Sequence, residues 1–272
     1  SALPLMNDGE VKNQGFEMVL GYQKQFKNGL SVSANANFSY ARNKVLEYDE
    51  PLLGKDYAYR TRTTGFSLGQ NWGYIIDHSY DPEKGRDGTG FFYSDESIAK
   101  SGLTYEGVGT PEPGDFIYKD LNGDGVINDY DIAPFGFSDV PEITGSFQVG
   151  LSYKNFDLTV MFQGATRVTI PLTGEVAWEF FNLGSALADR HLARWTPETQ
   201  QTATYPRMSN SSGSNQNNFK SSSMYLYDAS YLRLKNVELS YNFPKKWFTH
   251  TPISALRMYV NGFNLLTWDK LK

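Results

Sequence analysis

Asp120, Asn122 and Asp124 stand two residues apart, Gly125 follows at once, Ile127 is apolar and Asp131 closes the run. This is the oxygen-ligand register of a twelve-residue calcium loop, in which short acids and amides at alternate positions and a glycine at the sharp bend surround one hard cation. The spacing predicts ligands from the side chains of Asp120, Asn122 and Asp124 and the backbone carbonyl of Val126. Asn128 would act directly or through water, and Asp131 would close the loop. The terminal aspartate is shorter than the usual glutamate, which weakens the case for two-oxygen closure. Ca²⁺ is the expected ion, and Mg²⁺ is the other hard cation with these ligand preferences. The bland alternative is an acidic, Asx-rich turn over residues 118–136. No pair of flanking amphipathic helices is visible, so a calcium-signalling role is not expected.

Other chemistry is thin. Gly65-Phe66-Ser67-Leu68-Gly69 satisfies the G-x-S-x-G spacing of a nucleophile elbow. Such an elbow needs a strand before it and a helix after it, whereas Gln70, Asn71, Trp72 and Gly73 form no helix. A glycine-rich bend is the expected outcome. His78, His191 and His250 are scattered, and cysteine is absent, which argues against a zinc or copper site. Asp95-Glu96 reads as a solvated turn. No catalytic residue is therefore expected. Trp72 and Tyr74 in one irregular stretch, and Trp178, Phe180 and Phe181 in another, could stack on substrate or meet a partner protein, because aromatic faces combine apolar area with modest ordering cost. They could equally hold their own loops together.

The elements that must position these groups are strands. In Leu30 to Ala41, Leu30, Val32, Ala34, Ala36, Phe38 and Tyr40 alternate with Ser31, Ser33, Asn35, Asn37 and Ser39. Only a period of two segregates that pattern. Lys27-Asn28-Gly29 is a turn signal that joins this strand to Gly15–Phe26. A second hairpin runs from Phe147 through Lys154-Asn155 to Gln163. Tyr231 to Phe243 and Leu256 to Leu266 are further long strands, the last with less tidy alternation. Two irregular stretches, about 49–142 and 166–224, separate them. Within these, Gly184 to Trp195 is predicted to be a short helix capped by Ser185, and Ser209 to Ser223 a flexible polar tip.

The chain has 272 residues, 25 Lys and Arg against 30 Asp and Glu, and a net charge of −5, with no basic stripe, which disfavours nucleic acid. It carries 18 Tyr, 18 Phe and 5 Trp. No apolar run approaches the ~20 residues of a membrane helix, so a closed barrel is the one way such a chain could cross a bilayer. Alternating strands admit two environments: a water-soluble sandwich with its apolar face inside, or a barrel with its apolar face on lipid. Strands of about ten residues, twice the common soluble length, favour the barrel. Tyr40, Tyr153, Phe156 and Tyr241 fall near strand ends, where an aromatic girdle belongs.

Five segments stand in order: Asp115 to Ile127, Ser152 to Leu158 with Phe162-Gln163-Gly164, Arg194 to Glu198 with Tyr205-Pro206-Arg207, Tyr231 to Val237, and Tyr259 to Leu265. Together they resemble the SusC/RagA-type TonB-dependent outer-membrane transporters of Bacteroidetes. The resemblance covers essentially the whole chain. It implies an all-β, antiparallel transmembrane barrel portion with long extracellular loops, a plug domain and final strands lying outside this chain, and no enzymatic activity. It also implies import of oligosaccharides or peptides with a SusD-like surface lipoprotein as lid and TonB acting through the plug. The alternative is a secreted, calcium-stabilised β-sandwich that binds glycans.

Overall fold

The computed structural model describes residues 9–51, 54, 62–184, 189–210 and 216–271. The chain forms two compact units. One comprises Val11–Lys44, Phe137–Thr169 and Asp228–Lys272; the other comprises Ser1–Glu10, Val45–Gly136 and Ile170–Tyr227.

The first unit is built on a six-stranded sheet. Its strands are β1 (Gly9–Gln25), β2 (Leu30–Tyr48), β3 (Ile143–Tyr153), β4 (Phe156–Thr166), β5 (Tyr231–Asn242) and β6 (Arg257–Asp269), arranged in that order. Pairings from β2 to β6 are antiparallel. The turn after β1 is closed by the Asn28 side chain, which accepts the Leu30 N–H at 3.1 Å, and by Gly29 at φ 87°, a conformation that glycine adopts without penalty. The sheet is open, since β1 and β6 each have one neighbour.

Register sorts the faces. Val32 lies opposite Leu151, Ala34 opposite Val149 and Ala36 opposite Phe147. The apolar row continues through Leu151–Leu158–Leu239–Val260. On the other face, Asn37 donates to Ser146 Oγ at 2.7 Å and Asn242 donates to Asp157 Oδ2 at 2.6 Å. The untidy alternation of the last strand has a structural cause. The register shifts between Leu234 and Asn236, so Lys235 is an extra residue. The bulge returns Leu232, Leu234, Val237, Leu239 and Tyr241 to one face, as such insertions do when they re-aim a strand. Asn264 at φ 53° accommodates it on β6.

Among the described residues the apolar face carries no packed second layer: Phe38, Val149 and Leu158 are all only half-buried. Phe147, Phe156 and Val260 are 45%, 53% and 77% exposed. A sandwich would bury these residues. Near the Lys154-Asn155 turn, Tyr153, Phe156 and Tyr241 form one cross-strand row, with the Phe156 and Tyr241 rings 4.8 Å apart. Tyr40 lies ten positions along β2 from Leu30, the partner of Tyr153, and meets Phe16 at 6.0 Å. Ten residues at ~3.4 Å each, tilted by ~40°, separate the two aromatic levels by about 26 Å, the height of a barrel's apolar band.

The second unit is irregular chain around an aromatic core that includes Tyr74, Phe91, Phe116, Tyr118, Tyr205 and Tyr225. Residues 115–118 thread its centre, where Phe116 bridges to Phe91 and Tyr118 to Ile76. Three expectations change here. Asp95 and Glu96 do not form a turn but open α1 (Asp95–Ser101), which is capped by Ser94 and stopped by Gly102 in the left-handed region. Acids in a first turn complement the helix dipole. The predicted helix at 184–195 is a single 3₁₀ segment, Asp189–Ala193, and the proposed Ser185 cap lies outside the described residues. In the polar tract, Asn217 and Asn218 are buried. Asn218 donates to Asp115 Oδ1 at 2.7 Å and accepts the Phe116 N–H at 3.2 Å, so this part of the tract completes the core. Ser67 sits in turns, with no strand–helix elbow around it.

Candidate functional site

The residues of the predicted cation loop lie in the second unit. Val126-Ile127 pairs in parallel with Thr104-Tyr105. The carbonyls of Gly125 and Ile127 accept the N–H groups of Thr104 and Glu106, both at 2.9 Å, which turns the intervening Val126 carbonyl to the opposite side. Asp120 accepts the N–H groups of Gly123 and Gly125 at 2.7 and 2.8 Å. Asn122 accepts that of Asp124 at 3.1 Å, and Asp124 that of Val126 at 2.7 Å. Gly123 and Gly125 have φ of 79° and 80°, the left-handed turns that a side chain would strain. The loop therefore folds tightly around its own Asx side chains.

Asp131 is fully buried. Its two oxygens accept the N–H groups of Leu121 and Asn128 at 2.7 and 2.9 Å, and Asn128 Oδ1 accepts that of Tyr130 at 2.8 Å. Burial pushes the Asp131 carboxyl above the ordinary range, against the pull of those two amides. Among the described residues, no group of three or more His, Cys, Asp or Glu side chains could hold a metal ion. Asp120, Asn122, Asp124, Asn128 and Asp131 all have side-chain oxygens engaged with loop amides.

The five aromatic candidates separate. Trp178 stacks on Phe219 at 5.2 Å and meets Phe181 edge-on at 5.0 Å. Through Tyr225, Phe116 and Tyr118 the ring contacts continue to Tyr74. Trp178 and Phe181 thus pack with their own loops, while Phe180 is 40% exposed. Trp72 and Tyr74 line a cavity of about 420 Å³ with Gly73, Asp129, Ile132, Lys220 and Ser221. Tyr74 is buried and donates its hydroxyl toward Asp129 Oδ1 at 3.5 Å. Sequence reasoning missed Asp129 and Lys220 because they meet Trp72 only through long-range folding.

Buried charge holds this unit together. Asp115 is fully buried and receives Arg207 Nε at 2.6 Å, Arg207 Nη2 at 3.2 Å and the Glu112 N–H at 2.8 Å. Burial pushes its carboxyl up, and Arg207 opposes that shift. His191 is buried edge-on against Tyr205 at 4.8 Å. Its Nε2 donates to the Ala177 carbonyl at 3.3 Å, which fixes the tautomer, since a carbonyl only accepts. Burial lowers its pKa.

Comparison with known proteins bears out the resemblance drawn from the motifs. No family model matches the sequence. TonB-dependent receptor P3 of Formosa agariphila is 28% identical over 274 residues, covering 97% of this chain and 25% of the receptor. TonB-dependent receptor P26 of the same organism is 30% identical over 269 residues, covering 98% of this chain and 26% of the receptor. The chain therefore spans about a quarter of the length of these relatives. Among solved structures, the RagAB peptide transporter matches with a TM-score of 0.63 at 21% identity, over 97% of this chain and 26% of that one. The 'open-open' state of the RagAB peptide importer also gives 0.63, at 20% identity over 96% of this chain and 26% of the other. In fold, then, the chain is like part of a RagA-type transporter. In sequence it resembles TonB-dependent receptors across nearly its whole length.

Proposed function

We propose that this chain is part of the barrel of an outer-membrane, TonB-dependent importer of oligosaccharides or peptides, and that it has no catalytic role. The observation that carries the proposal is the open antiparallel sheet with an uncovered apolar face. Lipid can cover that face where water cannot, and open edges in a bilayer must be closed by further strands. The missing strands and the plug would come from the same polypeptide, TonB would act through the plug, and a SusD-like lipoprotein would serve as lid. In this reading Ca²⁺, or Mg²⁺, bound by Asp120, Asn122, Asp124 and the Val126 carbonyl, with Asn128 and Asp131, stiffens one loop of the second unit.

The test is uptake. In a strain lacking the gene for the full-length polypeptide, uptake of labelled oligosaccharide and peptide mixtures should fall. Restoring the gene should rescue it, and restoring it in a strain without TonB should not. Undiminished uptake of every mixture in the deletion strain would refute the proposal.

A further inference from the structure

We infer that the cavity beside Trp72 is a subsite for one hydroxyl-rich sugar ring, an inference that rests on the import reading and chooses between its two cargo classes. Its floor is rigid. Trp72-Gly73 pairs with Ala133-Pro134, the Tyr74 N–H donates to Ser221 O at 2.9 Å, and the Ser223 N–H donates to Tyr74 O at 2.9 Å. Phe66 meets the Trp72 ring edge-on at 5.0 Å and holds it in place, while Trp72 itself remains partly exposed along the cavity.

Polar groups of opposite kinds stand at the rim. Asp129 offers carboxylate oxygens, and the hydroxyl of Tyr74 reaches one of them. Lys220 offers a cation, steadied by one donated bond to the Gly107 carbonyl at 3.1 Å. An apolar plate flanked by one acceptor and one donor matches a pyranose: its C–H face lies on the indole, and its hydroxyls donate to Asp129 and accept from Lys220. The volume of about 420 Å³ holds a small ligand of this size. A peptide recognised as an added strand would need unpaired backbone groups, yet Tyr74 has both its N–H and its carbonyl engaged within the floor. A lining that carries one group of each charge also favours a neutral, hydroxyl-bearing ligand over a charged one.

The experiment uses the full-length polypeptide in detergent, titrated calorimetrically with neutral oligosaccharides of two to six units, and separately with a tripeptide mixture. Saccharide binding is expected. It should weaken about tenfold or more in Trp72→Ala, less in Trp72→Phe, and measurably in Lys220→Met and Asp129→Asn, while Trp247→Ala leaves it unchanged. Lys220→Met and Asp129→Asn keep the test decisive should Trp72→Ala fold poorly. Saccharide binding indifferent to all four cavity variants would overturn the subsite while leaving import intact. Binding of tripeptides alone, or of neither class, would also overturn it, and the last would count against the import reading too.

Discussion

At the scale of single residues, the second unit is organised by carboxylates whose oxygens satisfy backbone amides. Asp120 and Asp124 illustrate this: their oxygens accept the N–H groups of Gly123, Gly125 and Val126 and so fold residues 120–126. Replacing Asp120 and Asp124 with Ala should disorder residues 114–136 without unfolding the strands. Hydrogen exchange would show it as faster exchange confined to that stretch, and chelation should produce the same pattern in the unaltered protein. Equal protection before and after would rule out a stiffening ion. His191 gives a second prediction. Its folded pKa lies below the ordinary value of about 6.5, so below that pH the unfolded chain takes up a proton that the folded chain resists, and stability falls until pH passes the lower folded pKa. The melting temperature should drop between pH 7 and 5, and His191→Gln should flatten the drop. An identical pH slope in the variant would remove His191 as the cause.

At the scale of elements, the sheet is defined by cross-strand rows rather than by individual side chains. Val160 lies between Val149 and Val237, midway between the two aromatic levels. With lipid against that row, Val160→Arg should cost about 2–4 kcal/mol, measured by urea unfolding of the full-length polypeptide in lipid vesicles. Thr159→Arg, one residue away on the opposite face, should cost far less. Similar costs at the two positions would mean that lipid does not touch this face. The same element shows where local reading reached its limit. The run Tyr231 to Asn242 is plainly a strand, but strict alternation fails at Lys235-Asn236. Only pairing on both sides reveals that Lys235 is a bulge that keeps the apolar row continuous. Conversely α1 was missed, because a seven-residue helix has too few turns to display a period, and its Ser94–Ser97 capping box lacks the usual acid.

At the scale of the whole molecule, the two units mark the boundary between what local sequence specifies and what folding assembles. The strands were legible from composition alone: a face of Leu, Val, Ala and Phe against one of Ser and Asn admits one conformation, since side chains alternate with period two whatever their neighbours. The acidic loop was equally legible, because its turns are made by residues two to five positions apart. The second unit's core was not. Asp115 meets Arg207 and Asn218, Tyr118 lies against Ile76, and Trp72 shares a cavity with Lys220, across separations that no periodicity encodes. Sequence by itself determined the strands, their two faces and the loop; tertiary structure alone decided which buried charges pair and which aromatic faces stay open, because both depend on contacts between segments far apart in the chain.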